Sequence, residues 1–189
     1  MIDVFLSASV PLPERDRRFF DSADVLLIRE AIKAVVEVIL PLGRITSGGH
    51  PAITPLISLF VRENRLPPER LTIFQSALFE TQFPADNADF ADIRIVPAVG
   101  KDRGASLSRM RGEMIRSRQF TAAVVIGGME GILEEVVIFK ELHPLAPILP
   151  LASTGAAAAM VYKQGDFDHE FETNLTFASL LRRRLRTSS

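Results

Sequence analysis

The chain has 189 residues, of which 47% are hydrophobic, and a formal net charge of −1. That length supports one domain with a full core, and the near-neutral charge supplies no field to recruit nucleic acid or a membrane surface. The absence of cysteine excludes disulfides and thiolate chemistry, and without tryptophan and with a single tyrosine there is little to stack on nucleic-acid bases.

Met1-Ile2-Asp3-Val4-Phe5-Leu6 lacks the basic start of a secretory signal and carries an aspartate where such a signal is apolar. No stretch approaches the ~18 uninterrupted apolar residues of a spanning helix. The expectation is a cytoplasmic chain with neither membrane nor nucleic acid as partner. Val4-Phe5-Leu6-Ser7-Ala8 reads as a short buried strand, followed by a polar loop containing Asp16-Arg17-Arg18. Asp21 or Ser22 is placed to cap a helix from about Ala23 to Leu40, whose Val25, Ile28, Ile32, Val35 and Val36 keep helical spacing. Ile45-Thr46-Ser47 is a second strand, and Pro51 suits the start of a helix that ends before Pro67-Pro68. Leu71-Thr72-Ile73-Phe74 is a third strand, Leu78–Asp92 a loop or excursion, and Ile93-Arg94-Ile95-Val96 a further strand.

Ser106–Arg118 has helix-forming content and a basic face, Ala122–Ile126 is the most apolar strand, and a helix runs from Gly131 to about His143. Pro147–Leu151 reads as a last strand, whose prolines, unable to donate to a ladder, suggest an edge or the strand's ends. A tail from about 171 to 187 is amphipathic and carries Arg182-Arg183-Arg184, which complement a helix C-terminus. Strand and helix alternate almost throughout. The fold class is therefore α/β, a Rossmann-like parallel sheet sandwiched between helices, in a single domain over residues 1–189 with its core at about 2–152.

Twice an apolar strand gives way to a helix through a glycine pair: Ser47-Gly48-Gly49-His50-Pro51 and Ile126-Gly127-Gly128-Met129-Glu130-Gly131. Glycine permits positive φ and close approach of a ligand, and the following helix start offers unpaired N–H groups to an anion or polarised oxygen. The pattern G-G-x-x-G is neither the dinucleotide fingerprint nor a P-loop. Each turn taken alone is equally a tight connection that merely needs glycine. Both together, at the carboxyl ends of strands in one open sheet, point to a bipartite ligand site.

The run Gly127-Gly128-Met129-Glu130-Gly131-Ile132-Leu133-Glu134-Glu135 resembles the PGGxGTxxE motif of LOG-type phosphoribohydrolases, and Arg111 stands where those enzymes carry an arginine on the preceding helix. Over about residues 2–152 the chain is similar to the SLOG superfamily (SMF/DprA–LOG), most of all to its sensor-type branches. That resemblance implies a nucleotide-derived ligand of ADP-ribose or NAD-derivative type, bound at Ser7, Gly48, Gly49, His50, Arg109, Arg111, Gly127, Gly128, Met129, Glu130 and Gly131. It implies Arg111 and Glu135 as catalytic residues if the domain is instead an N-glycosidase releasing a base. No cofactor or metal is implied, and a homodimer is, with Met110, Met114 and Ile115 as its apolar seam.

The sequence departs from the motif where phosphate would bind. Ile126 replaces the proline, Ile132 the threonine, and Glu130 occupies a loop longer by one residue. A carboxylate ~6 Å from a phosphate opposes binding by roughly 3 kcal/mol at an effective dielectric of ~20. Either Glu130 points away, or the loop meets ribose hydroxyls or a metal-neutralised phosphate. Arg109, Arg111, Arg116 and Arg118 are the residues for a phosphate clamp, with Lys101, Asp102 and Arg103 as additions; a solvated face is the alternative. His143 and His169, with Asp166 and Asp168, match no metal-ligand spacing.

Overall fold

A computed structural model describes residues 1–185. Six strands form one sheet: β1 (Ile2–Ser9), β2 (Gly43–Gly48), β3 (Leu71–Ser76), β4 (Asp92–Val96), β5 (Ala122–Gly127) and β6 (Ile148–Pro150). Their order is β4-β3-β2-β1-β5-β6, and every pairing is parallel. The chain winds one way from β1 to β4 and then crosses back to β5. The register sets Leu6 beside Ser47 and Ser9 beside Gly127, so the carboxyl ends of β1, β2 and β5 meet at this reversal. Crevices at such a switch point are where open α/β sheets bind ligands.

The helices are α1 (Arg17–Ser22), α2 (Val25–Ile39), α3 (Thr54–Glu63), α4 (Arg103–Arg116), α5 (Glu130–Leu142), α6 (Ala156–Lys163), α7 (Glu170–Thr173) and α8 (Phe177–Arg184). Side chains alternate across each strand. Val4 and Leu6 join Ile45, Ile73 and Val124 under α2, α3 and α8, while Phe5 joins Phe74, Ala123 and Val125 under α1, α4, α5 and α6. Among the described residues no helix is long and apolar enough to cross a membrane.

Several elements differ from the sequence expectation. Asp24, not Asp21 or Ser22, caps α2, its Oδ1 accepting from the Leu27 N–H at 2.9 Å. The earlier residues are taken by α1, which Asp16 caps and whose Phe19 is buried. The excursion folds as 3-10 turns over Ala77–Gln82 and Ala85–Asp89 and is pinned to α3, where the Ser58 hydroxyl donates to Asp89. Helix α6 lies in an alanine-rich stretch without a helical period. Met110, Met114 and Ile115, expected on an outer seam, are buried against the sheet because α4 turns that stripe inward. His143 is buried between Phe120 and Phe139, its Nε2 at 2.8 Å from the Ile115 carbonyl oxygen. In the tail, Phe177, Leu180 and Leu181 are buried in the layer that contains α2, and Arg183 and Arg184 pair with Glu170 and Asp168. Residues 186 and 187 of the expected tail lie outside the described residues.

Candidate functional site

A cleft of about 860 Å3 opens above the carboxyl ends of the central strands. That volume suits a small-molecule ligand, for which pockets of about 300–1,000 Å3 are usual. Leu6, Ala8, Ser9, Ser47 and Gly48 line it from β1, β2 and the sheet's middle. On the β5 side, α4 and α5 contribute Arg111, Glu130, Gly131, Glu134 and Glu135; on the β3 side stand Gln75, Ser76, Phe79, Phe83 and Pro84, with Arg103 from the start of α4.

The first side is a compact charged cluster. Arg111 donates to Glu134, and its Nε lies 3.6 Å from Glu135 Oε1. Gly131 makes this possible, because a Cβ there would overlap the Arg111 guanidinium. Ser7, only 1% exposed, donates from Oγ to Glu135 Oε2 at 2.5 Å. Burial pushes the Glu135 carboxyl above its ordinary range, and the Ser7 hydrogen bond and the Arg111 charge oppose that push. Glu130 also lines the cleft; its nearest cation is Arg15, at 3.9 Å. Arg111 is therefore already engaged by two carboxylates, and the third, Glu130, adds its charge to the same wall. A phosphate is poorly served here, and hydroxyl donors are well served.

The first glycine turn forms part of the wall. The Gly49 N–H donates to the Phe74 carbonyl at 2.8 Å, closing the turn over the end of β3. A Cβ on Gly49 would overlap the Gln75 side chain, whereas one on Gly48 would meet only Met110 and Met114 at ordinary contact distance. The His50 N–H donates to Thr54 Oγ1 at 3.0 Å, and the His50 Nδ1 accepts from the Ala52 N–H at 3.2 Å. That acceptor role leaves Nε2 as the protonated nitrogen of the neutral ring. Burial, helped by the charge of Arg15, lowers the His50 pKa to about 4, so the ring is uncharged at neutral pH.

The second glycine turn is built differently. Gly127 and Gly128 adopt φ of +54° and +92° and are buried. A Cβ on Gly127 would sit 2.6 Å from Ile28 Cδ1 and 2.8 Å from the Ser9 carbonyl oxygen. The Gly127 N–H donates to the buried Thr154 Oγ1 at 2.9 Å, and the Gly128 carbonyl accepts from the Ala157 N–H at 3.2 Å. Ile132, at the position of the motif threonine, is buried with its side chain over Gly128. Neither glycine of this pair lines the cleft; Met129, Glu130 and Gly131 beyond it do.

The four arginines are not brought together. Arg111 alone among them lines the cleft; Arg109 pairs with Glu113 at the surface, Arg116 is exposed, and Arg118 donates to Thr72 at the far end of β3. The residues that sequence reasoning missed come from the excursion and the strand before it. Phe79 and Phe83 line the cleft, and the Arg103 guanidinium lies 5.8 Å from the Phe79 ring centroid. Two phenylalanines in a polar stretch were the available signal.

Residues 18–185 match the SLOG cluster3 family. The chain belongs to that family. The match begins after β1, so Ser7 stands outside the matched residues of this SLOG domain. The X-ray structure of TM1055, a structural genomics target, superposes with a TM-score of 0.61 at 14% identity, covering 97% of this chain and 99% of that one. At that identity the likeness shows the fold, a six-stranded parallel Rossmann-like sheet. No curated protein matches the sequence. Membership of the SLOG cluster3 family suggests a nucleotide-related function.

Proposed function

We propose that this SLOG domain binds or senses a nucleotide-derived small molecule of ADP-ribose or NAD-derivative type in the cleft above β1, β2 and β3. The observation that carries the reading is the division of the cleft. Its carboxylate side, Glu130, Glu134 and Glu135, accepts from ribose hydroxyls. Its other side offers neutral donors and the faces of Phe79 and Phe83, which suit a heterocycle. Arg103, in no ion pair among the described residues, and Arg15, 3.9 Å from Glu130, supply the charge for a phosphate. A thermal-shift panel of AMP, ADP-ribose and NAD tests this. A bound nucleotide at a hundred times its Kd adds about 2.7 kcal/mol to native stability, and a panel without any shift contradicts the reading.

The Ser7–Glu135–Arg111 geometry favours a second reading, a nucleotide N-glycosidase. A carboxylate held by serine and arginine is suited to stabilise an oxocarbenium-like ribosyl centre or to orient water. Base release by the wild type that disappears in Glu135→Gln supports the glycosidase. Binding retained in Glu135→Gln, with no base released by either protein, supports the sensor. A cytoplasmic homodimer is part of the proposal as well; since Met110, Met114 and Ile115 are buried, its interface must use other residues, and light scattering checks the association.

A further inference from the structure

Gln75 is the last residue but one of β3 and is 4% exposed, yet it lines the cleft. A buried primary amide must place both its oxygen and its nitrogen. Its oxygen is placed: the Asn87 Nδ2 donates to Gln75 Oε1 at 2.7 Å. Its nitrogen receives no acceptor among the described residues and lies against Gly49, in space that exists only because residue 49 has no side chain. Asn87 is not a wall residue. It belongs to the second 3-10 turn of the excursion, which the Ser58–Asp89 hydrogen bond and the buried Phe90 fasten to the body. The amide is thus backed by Asn87, whose own Oδ1 is buried and has no partner among the described residues. On the other flank of Gly49, His50 is an uncharged ring whose protonated nitrogen is Nε2.

Resting on the nucleotide reading above, we propose that Gln75 is the residue that selects the ligand's ring. Held by Asn87, it presents N–H donors to the cleft beside Gly49 and takes a heterocycle whose facing edge carries an acceptor, a ring nitrogen or a carbonyl oxygen. The first glycine turn is then a recess for this amide. An uncharged donor pair recognises such an edge without attracting phosphate to it. A ligand lacking the acceptor leaves the Gln75 amide unpaired in a dehydrated wall, which is the source of discrimination.

The test is calorimetric titration of AMP, IMP and ADP-ribose into wild type, Gln75→Glu, Gln75→Leu and Asn87→Ala. Gln75→Glu keeps an oxygen for Asn87 but turns the donor into an acceptor, and it weakens binding by about tenfold or more. Asn87→Ala, which touches no ligand, weakens binding about threefold by freeing the amide, and it reports even if Gln75→Glu fails to fold. Among AMP analogues with one ring nitrogen replaced by C–H, a single one binds wild type poorly, and that penalty disappears in Gln75→Leu. Undiminished affinity in a folded Gln75→Glu or in Asn87→Ala, or analogue penalties unchanged in Gln75→Leu, overturns the selection role and leaves the nucleotide reading standing. A wild type that binds none of the nucleotides overturns that reading and this one with it.

Discussion

The two glycine turns share a sequence pattern and differ in what the glycines are for. At Gly48-Gly49 the backbone lines the cleft, and the missing side chain makes room for the Gln75 amide. At Gly127-Gly128 the backbone is buried, with positive φ at both residues, and is tied to the Leu151–Ala157 segment through Thr154 and Ala157. One turn shapes a wall of the cleft, and the other joins β5 to α5 and seats that helix so that Glu130, Glu134 and Glu135 reach the cleft. A glycine pair after a strand therefore identifies a tight connection. Whether a ligand meets it depends on what packs behind it.

Substitutions should separate the two roles. The largest effect is expected from Gly127→Ala, where positive φ and overlap with Ile28 and the Ser9 carbonyl act together. A loss of about 2–5 kcal/mol in urea denaturation is expected, and a loss below about 1 kcal/mol would break the comparison. Next comes Thr154→Val, which keeps the shape but leaves the buried Gly127 N–H without an acceptor. It should cost about 1–3 kcal/mol of stability, measured the same way, with nucleotide affinity nearly unchanged.

Gly49→Ala should add a loss of affinity. The overlap falls on the buried Gln75 side chain rather than on backbone and Gly49 has no positive φ, so stability falls by about 1–3 kcal/mol while affinity for ADP-ribose falls about tenfold. The last effect is in pH dependence. The folded-state pKa of His50 is depressed from 6.5 to about 4, so its contribution to stability is fully present above 6.5 and is lost as pH falls towards about 4. His50→Gln should flatten that part of the stability profile, and an unchanged slope would show that the ring is not buried in its neutral form.

The fold was legible because fully buried parallel strands are short apolar runs, as at Ala122–Ile126, separated by amphipathic helices. Helix α6 was not, since Ala156–Ala159 has no polar face to set a period. The arginine clamp failed for a geometric reason: at ~100° per residue, positions 109 and 111 point to opposite sides of a helix. Glu135 and Arg111 were found through the glycine motif. Ser7 was named among the ligand-binding residues, but its pairing with Glu135 was hidden by a separation of 128 residues. Gln75 carries no motif at all, and its role arises only when the excursion returns to place Asn87 behind it.

The central claim is tested most directly by titrating ADP-ribose into isotope-labelled protein and following the backbone and side-chain amides by NMR. Saturable shifts should centre on Gly48, Gly49, His50 and the Gln75 side-chain amide, with the Gly127 and Gly128 amides moving little. Shifts centred on Gly127 and Gly128, with the first turn unmoved, or no shifts at any concentration, would contradict it.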